Sequence, residues 1–432
     1  MNAFIIFPGN YYKDIKNLIN CNVYLYKLDD KKFSRARKTY FNKCLKFYAD
    51  YLKRQKIKTT IIKKVSQVKE PSIVCYDPVD AELSRELKPF NVQIIESKTF
   101  ITTRDEIMAY YKEVGSLNQT KFYKWQRVRF NILMDHGKPQ SSRLTYDIDN
   151  RKPLTARDPM RKRAAMPKLA YTFDSAAAML RSFVARKLAK FGDYQDAAII
   201  GGNPMLYHSG LSAPLNMGLI TPYEVIDAAL ASGAPLNSVE GFVRQILGWR
   251  EHCRLIYLVA NLEGLNALSA TRKLSRAWFT GRLNSKISVL NTIVNKGWRN
   301  GYLHHIERLM IIGAYMLMIG IEPTQAKSWF YNMSCDAFDW NMVPNVYGMA
   351  LYVAGTKSYV SKPYFSSSRY LINIGLKLSK RDSAYWDALY WEFVRRTASW
   401  MSHNGRLAVQ VANLARKTSA EKESYAKLVS RL

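Results

Sequence analysis

Short apolar runs alternate with longer mixed stretches over the first 115 residues or so. Runs rich in β-branched and aromatic residues predict five strands, at residues 3–7, 22–26, 59–62, 72–76 and 92–95. Between them, residues 33–55 predict a long basic helix with an aromatic face, and residues 80–87 a shorter helix. This alternation is typical of a Rossmann-like α/β domain, in which a parallel sheet is covered by helices. The first strand ends in Phe7-Pro8-Gly9-Asn10, where such sheets place ligand loops, although a simple turn explains one glycine better.

Helical spacing dominates from residue 170 onward, and no strand is predicted there. The clearest helices are at residues 175–191, 222–232, 238–261, 285–298, 302–319, 324–333 and 384–403. Residues 116–168 mix helix with a basic loop that carries repeated Lys and Arg clusters and two prolines near residues 151–163. We therefore predict an α/β domain at 1–115, a basic linker or surface arm at 116–168, and a large helical domain at 169–432.

The composition agrees with two folded domains and adds a strong charge. The chain has 432 residues, of which 48% are hydrophobic and 13% aromatic, enough for substantial cores. Lys and Arg number 65 against 34 Asp and Glu, a formal net charge of +31. Such an excess destabilises a compact state unless a polyanion or salt screens it. A nucleic acid is the favoured partner, and a membrane surface or plain solubility is the alternative.

Cysteines and apolar runs exclude several other classes. The five cysteines are scattered without a CxxC pair, so a disulfide framework and a local zinc or iron–sulfur ligand set are not predicted. The N-terminal run Ala3–Phe7 is too short for a signal peptide and is interpreted as a strand. No stretch approaches the roughly 18 apolar residues of a membrane span. We expect a monomeric cytoplasmic protein.

Residues 240–251 form the first segment with candidate chemistry. Four apolar residues in and just after this segment recur at helical spacing and are predicted to share one face: Phe242, Ile246, Trp249 and Cys253. Glu240 and Arg244 lie one turn apart. Gly248 in mid-helix costs about 1 kcal/mol relative to Ala, which indicates a close approach by a neighbouring helix or by a flat cofactor ring. Spacing alone favours the helix.

Two histidines stand side by side in Tyr302-Leu-His-His-Ile-Glu-Arg. On a helix, His304 and Arg308 would share a face and His305 would point about 100° away. A histidine can hold or donate a proton near neutral pH. A metal site would need a further His or carboxylate at fixed spacing, and the sequence shows none, so no metal site is predicted.

Two further segments combine polar groups with a shaped backbone. Asp336 and Asp339 stand within an aromatic run, where carboxylates need good hydrogen bonds from a ligand or from backbone donors. The loops Phe191-Gly-Asp-Tyr-Gln-Asp and Tyr207-His-Ser-Gly-Leu-Ser lie at predicted helix ends. Their hydroxyl and N–H groups suit a pyrophosphate, and ordinary helix capping explains them equally well.

Taken together, these segments resemble the photolyase/cryptochrome superfamily, and within it the bacterial photolyase-related branch, the iron–sulfur (6-4) photolyases. The resemblance spans roughly residues 120–420 and also rests on Trp278-Phe-Thr-Gly, Pro344-Asn-Val-Tyr-Gly-Met, Lys362-Pro-Tyr and Ala388-Leu-Tyr-Trp. It implies that the helical domain is a photolyase-like FAD-binding domain. The partner would be UV-damaged DNA, double- or single-stranded.

The resemblance also assigns roles to individual residues. It implies that His304, His305 and Tyr364 face a flipped-out lesion and that Arg308 supports this pocket. The residues that it places around FAD are Gln195, His208, Ser209, Leu211, Ser212, Asn216, Glu240, Arg244, Gln245, Trp249, Arg250, Asp336, Asp339, Met342 and Asn345. Electron transfer to the flavin falls to Trp278, Trp329 or Trp340, for each of which core packing is the alternative.

The sequence departs from the family pattern at three places. Val289 stands at the position of the first cluster cysteine, and residues 370–391 contain no cysteine, so no iron–sulfur cluster is expected. Met342 replaces the acidic residue near the flavin N5 edge. Lys27 stands where an acidic residue usually meets a lumazine-type antenna, which is therefore only an additional candidate chromophore.

The expected activity is light-driven repair of pyrimidine photoproducts by electron transfer from reduced FAD to a flipped-out lesion. The paired histidines favour (6-4) lesions over cyclobutane dimers. The alternatives are a cyclobutane-dimer photolyase, a blue-light photoreceptor of the cryptochrome type without repair activity, and a basic DNA-binding scaffold without flavin.

Overall fold

The N-terminal part of the chain folds around a five-stranded parallel sheet. The computed structural model describes residues 2–141, 143–405 and 407–430. The strands are β1 (Asn2–Ile6), β2 (Cys21–Tyr26), β3 (Thr59–Ile62), β4 (Ile73–Tyr76) and β5 (Val92–Ile95), in the order β3-β2-β1-β4-β5. All four pairings are parallel. The predicted α/β sheet is confirmed, and the central position of β1 explains its almost continuous apolar sequence.

Helices cover this sheet and form the rest of the molecule. Those of the first half are α1 (Arg35–Arg54), α2 (Ala81–Leu87), α3 (Arg104–Val114), α4 (Gln119–Phe130), α5 (Phe173–Arg186), α6 (Leu188–Tyr194), α7 (Ser212–Met217), α8 (Pro222–Leu230) and α9 (Leu236–Val243). Those of the second half are α10 (Glu251–Val259), α11 (Ser288–Asn300), α12 (Ala314–Ile319), α13 (Pro323–Met333), α14 (Asp339–Met342), α15 (Ser368–Asn373), α16 (Lys380–Arg396), α17 (Ala398–Ser402), α18 (Ala408–Ala415) and α19 (Ser419–Val429). A two-residue hairpin, β6 (Met134–Asp135) with β7 (Lys138–Pro139), follows α4. The large helical region is thereby confirmed.

Three helices contain wide π-helical turns, at Arg244–Arg250, Glu307–Gly313 and Val343–Ala350. The first joins α9 to α10, the second leads into α12, and the third continues α14. Such turns are rare and are frequent at functional sites, because they redirect side chains without breaking the helix. Each of the three carries residues that the sequence assigns to the site.

The residues between the sheet and the large helical region pack against the helical region and bond to it. α4 packs against α10 in a small apolar cluster that contains Phe122 and Leu255, and the Tyr123 hydroxyl donates to Glu240 Oε1 over 3.0 Å. The basic loop after the hairpin is also tied down, because Lys152 N–H donates to the Asp193 carbonyl over 3.0 Å. The domain boundaries at 115 and 168 stay a prediction.

The N-terminal sheet and the helical region meet at a buried arginine. Arg37 of α1 lies 4.2–4.5 Å from the ring centres of Phe33, Phe41 and Tyr331, and its guanidinium donates to the Ser334 carbonyl. Within the described ranges, no helix combines the length and the apolar character needed to cross a membrane.

Candidate functional site

Three histidines from distant parts of the chain meet on one side of the helical region. His208 follows a turn after residue 203, and His304 and His305 precede the second π-helical turn. The His208 ring lies nearly parallel to that of His304, with centroids 4.8 Å apart, and is edge-on to that of His305 at 5.3 Å. Taking one nitrogen from each ring, all three lie within 4.8 Å of one another.

The local structure at His304 differs from the sequence prediction of a helix from residue 302. Tyr302, Leu303 and His304 precede the helix, and the Glu307 side chain accepts the His304 backbone N–H over 3.2 Å. Glu307 thus satisfies an amide at the helix start as a capping residue does. The spacing predicts that His304 and Arg308 share one helix face, but His304 lies outside the helix and the two residues do not form such a pair.

Two carboxylates orient the paired histidines. Asp196 Oδ1 lies 3.2 Å from His305 Nε2, and Glu307 Oε2 lies 3.5 Å from His304 Nε2. Each carboxylate also faces a cation, since Arg151 approaches Asp196 at 3.7 Å and Lys296 pairs with Glu307. The rings are consequently fixed by partners on their Nε2 side.

The three histidine rings differ in how deeply they are buried. Desolvation lowers the pKa of His208 and of His304 well below the usual value, and neighbouring positive charge adds to the effect. Both rings are therefore neutral at pH 7. His305 is exposed and is the ring of the three that a ligand in solution meets first.

Tyr364 is the third residue assigned to the lesion. It is partly buried against the apolar cluster of Met349, Tyr352 and Val360. Burial raises the pKa of its hydroxyl, and the charges of Asp147 and Asp196 raise the pKa further.

Arg308 and Asp336 form a two-pronged ion pair. Nη1 and Nη2 of Arg308 donate to the two Asp336 oxygens, each over 3.0 Å, and Nε donates to the Leu303 carbonyl over 2.7 Å. Asn216 Nδ2 donates to the Asp336 backbone carbonyl over 2.8 Å. The structure therefore links a residue assigned to the lesion pocket, Arg308, with two residues assigned to the flavin.

Arg250 extends this network and keeps one donor unused. Its guanidinium lies 4.7 Å and 4.9 Å from the ring centres of Phe100 and Trp340, and its Nε approaches Asn216 Oδ1 at 3.4 Å. Burial lowers the pKa of Arg250 to about 10. Among the described residues, its buried Nη2 has no hydrogen-bond partner. An unsatisfied buried donor of this kind is costly and suits a ligand that offers an oxygen or an aromatic nitrogen.

Glu240 and Arg244 interact as their spacing predicts. Arg244 Nε donates to Glu240 Oε1 over 3.2 Å and Nη1 donates to Asp147 Oδ1 over 2.9 Å. The close approach at Gly248 is made by α4, since a Cβ there would meet Gln119 at 2.9 Å and Tyr123 at 3.1 Å. The helix interpretation of Gly248 is confirmed.

The other flavin candidates are held by neighbours within the protein. Asp339 accepts from Tyr257 over 2.9 Å and pairs with Lys327 at 2.5 Å. The remaining contacts are local: Gln195 with Asn150, Leu211 with Ser209, Gln245 with the Gly241 carbonyl, and Asn345 with the Asn341 carbonyl. Ser212 begins α7, and Met342 is buried in the apolar core.

Trp249 does not share the apolar face predicted for it. Phe242, Ile246 and Cys253 belong to one large apolar cluster, whereas Trp249 packs against the separate cluster of Met349, Tyr352 and Val360. The π-helical turn between residues 244 and 250 causes the difference, because it adds a residue to the turn and rotates the following side chains.

Two of the three candidate tryptophans are neighbours. The rings of Trp278 and Trp329 are perpendicular with centroids 5.7 Å apart, and Trp329 Nε1 donates to the Trp278 carbonyl over 2.9 Å. Trp340 lies in a different apolar cluster, beside Phe100. The electron-transfer roles stay a prediction.

The absence of an iron–sulfur cluster stays a prediction, which the positions of the cysteines do not oppose. All five cysteines lie in the described ranges, and the one group of three or more potential metal ligands found there consists of histidines. Val289 is buried among apolar side chains, and its neighbour Ser288 donates its N–H to Asp382 Oδ1 over 2.7 Å.

The surroundings of Lys27 leave little room for a second chromophore. A cavity of about 20 Å³ lies there, lined by Pro8, Tyr11, Tyr26, Lys27, Leu28, Asp30, Phe33, Phe41, Asn42 and Leu45. This is about the space of one water molecule, so a ring system would have to displace several side chains. Antenna binding stays a prediction.

Comparison with solved structures identifies the class to which this fold belongs. A bacterial class III photolyase from Agrobacterium tumefaciens matches with a TM-score of 0.55 and 14% identity, covering 100% of this chain and 96% of that one. A cryptochrome from Synechocystis sp. PCC6803 matches with a TM-score of 0.56 and 12% identity, covering 98% and 94%. The protein has the photolyase/cryptochrome fold.

Sequence comparison then establishes membership. Residues 37–197 match the family described as deoxyribodipyrimidine photo-lyase-related protein. A (6-4) photolyase from Agrobacterium fabrum (strain C58 / ATCC 33970) is 30% identical over 395 residues, which are 80% of this chain and 77% of that protein. The chain belongs to the photolyase/cryptochrome superfamily, as its sequence motifs predict.

Proposed function

We propose that this protein is a DNA photolyase that repairs UV pyrimidine photoproducts, with (6-4) lesions as its main substrate. The observation that carries this proposal is the exposed His305 ring, held through Nε2 by Asp196, beside the buried His304. The 30% identity to a (6-4) photolyase supports the same reaction class.

FAD is the cofactor of this family, and the residues present fit it. The unused Nη2 of Arg250 is a buried donor adjacent to Asn216, which itself contacts Asp336. When bound and reduced, FAD would supply the photoexcited electron for the lesion. Arg250 and Asn216 would hold it, together with the other residues that the family resemblance assigns except His208, whose ring contacts those of His304 and His305. We propose that neither an iron–sulfur cluster nor a dimer interface is needed.

The histidines have different tasks in this proposal. Because Asp196 occupies His305 Nε2, Nδ1 is left for the lesion, and in the protonated imidazolium it donates a hydrogen bond or a proton to the lesion. His304 is buried and neutral, so it fixes the position of the pocket wall and does not serve as the acid. The arrangement of carboxylate, imidazole and reacting group follows the same logic as a catalytic triad.

The decisive experiment compares two lesions. Oligonucleotides that carry a single (6-4) photoproduct or a single cyclobutane dimer are irradiated with the purified, chemically reduced protein, and restored bases are measured by chromatography. We expect restoration of the (6-4) lesion. Repair of the cyclobutane dimer alone would overturn the lesion assignment. A light-dependent flavin spectrum without repair of either lesion would support the photoreceptor alternative.

The basic loop next to the site is the expected DNA contact. Arg157, Lys162 and Arg163 are exposed, and no described carboxylate pairs with them. The loop is held beside the site, since the Asn203 N–H donates to the Met160 carbonyl over 2.8 Å and Tyr207 donates to Asp158 over 3.0 Å.

Neutralising this loop should weaken DNA binding in a salt-dependent way. The variant combines Arg157→Ala, Lys162→Ala and Arg163→Ala. Because it loses three phosphate contacts, the slope of log K for DNA binding against log salt concentration should become shallower by about 2.7. Fluorescence anisotropy over a salt series measures the slope. The matched control replaces three exposed lysines at the outer edge of the sheet, Lys58, Lys63 and Lys69. Equal effects in both variants would show that the binding is a diffuse effect of net charge.

A further inference from the structure

The three histidine rings bring one nitrogen each to within 4.8 Å of one another. Because a neutral imidazole carries one N–H, a ring whose Nε2 faces a carboxylate keeps its proton there and leaves Nδ1 with a lone pair. This applies to His304, whose Nε2 faces Glu307, and to His305, whose Nε2 faces Asp196. In their neutral form, His304 and His305 thus offer Nδ1 as an acceptor, and these lone pairs would repel an anionic ligand.

Two of the free nitrogens are buried and unpaired. Among the described residues, His304 Nδ1 and His208 Nε2 have no hydrogen-bond partner, although His304 is 4% and His208 7% exposed. A buried polar atom without a partner is costly, and it is rare enough to indicate a missing ligand. His305 is exposed and opens the group to solvent, so an ion has a path of entry.

We propose that His208, His304 and His305 form a binding site for one divalent transition-metal ion of the zinc class, with a fourth position open to water. Three neutral imidazoles with an open position are typical of zinc sites. The carboxylates of Asp196 and Glu307 on the outer ring nitrogens match the second layer that usually surrounds metal-bound histidines.

The required movement is small. Metal–nitrogen distances of 2.0–2.1 Å in a tetrahedral site place the nitrogens about 3.4 Å apart, and one nitrogen of each ring already lies within 4.8 Å of the others. The His208 ring is nearly parallel to that of His304, so it must turn about its side-chain torsions. The Nε2 atom that turns has no partner to lose.

A metal ion bound at the three histidines would change which ligands His305 can contact. A metal on His305 would occupy the nitrogen that the lesion needs, so metal and lesion would compete. This consequence rests on the proposed repair function, whereas the metal site itself does not.

The test uses the full chain without an affinity tag, titrated in the dark with Co²⁺ and then with Zn²⁺. We expect one Co²⁺ per chain, seen as the visible bands of tetrahedral cobalt, and displacement by Zn²⁺. His208→Ala and His305→Ala should each weaken binding by more than roughly 100-fold, and Asp196→Asn by about 10- to 100-fold. His136→Ala and His403→Ala alter the two exposed histidines elsewhere and should change nothing.

The second arm measures binding of a lesion-containing oligonucleotide with and without Zn²⁺. Zn²⁺ should weaken lesion binding in the natural protein and not in His208→Ala. Cobalt binding that persists in His208→Ala and His305→Ala would overturn the site. Tight cobalt binding without any effect on lesion binding would leave the site standing and overturn the competition. Circular dichroism of each variant shows that a loss of binding is not a loss of fold.

Discussion

His305→Ala should lower the rate of light-driven (6-4) repair by about 100- to 10,000-fold, the usual contribution of a positioned general acid. The side chain is exposed and contacts Asp196 through Nε2 at 3.2 Å, so its removal should leave the fold and the flavin content unchanged. Repair is measured under single-turnover illumination, with protein in excess over lesion, so that loss of chemistry is separated from loss of affinity.

The control for this variant is His403→Ala. His403 is also exposed, and among the described residues its ring bonds to its own helix turn, through the Ser399 carbonyl and Ser402. We expect it to repair at the natural rate. If His305→Ala retained more than about a tenth of the natural rate, His305 would be a binding residue and the assignment of proton donation would be wrong.

The second large effect is expected on stability, from Asp336→Asn. Asp336 accepts both prongs of Arg308, and the two side chains are 8% and 18% exposed. Removing one partner of a buried ion pair leaves the other charge without compensation, which typically costs about 3–5 kcal/mol. We expect a loss near 3 kcal/mol, because Arg308 keeps some contact with solvent.

Urea unfolding measures this loss as a lower midpoint at unchanged slope. The matched control is Asp50→Asn, which breaks an exposed pair with Lys46 and should cost less than about 1 kcal/mol. The double variant Asp336→Asn with Arg308→Gln should recover part of the loss, since no unpaired charge remains. Similar midpoints for Asp336→Asn and Asp50→Asn would show that the Arg308 pair contributes nothing to stability.

Periodicity predicted the elements well where the local pattern and the tertiary environment agree. The two strands at residues 59–62 and 92–95 have the predicted bounds, and α1 begins and ends within two residues of its prediction. α1 buries one regular face that includes Tyr40, Cys44 and Tyr48, so its apolar spacing indicates its position. The two strands lie at the edges of the sheet and are largely exposed, and their β-branched residues predicted them. The helix predicted at residues 384–403 is interrupted at Thr397, where the 17-residue α16 ends and the five-residue α17 follows.

The site was less predictable because it depends on contacts between distant residues. His208 lies 96 positions before His304, and no spacing rule connects them. The absence of a metal site was predicted for that reason. Asp196 belongs to a motif noted in the sequence, yet its contact with His305 spans 109 positions and became visible only in the fold. The histidine pair was visible in the sequence and the family resemblance gave it a role, whereas the carboxylates that orient the pair are neighbours only in the fold.

The three wide turns also bear on how residue roles are carried between relatives. Each turn holds one more residue than a regular α-helical turn, so it acts as a single-residue insertion that leaves the ends of the helix in place. Trp249, Arg308 and Asn345 all lie within such turns. An alignment that runs without a gap through one of them, against a relative whose helix is regular, would assign each later role to the wrong neighbour by one position.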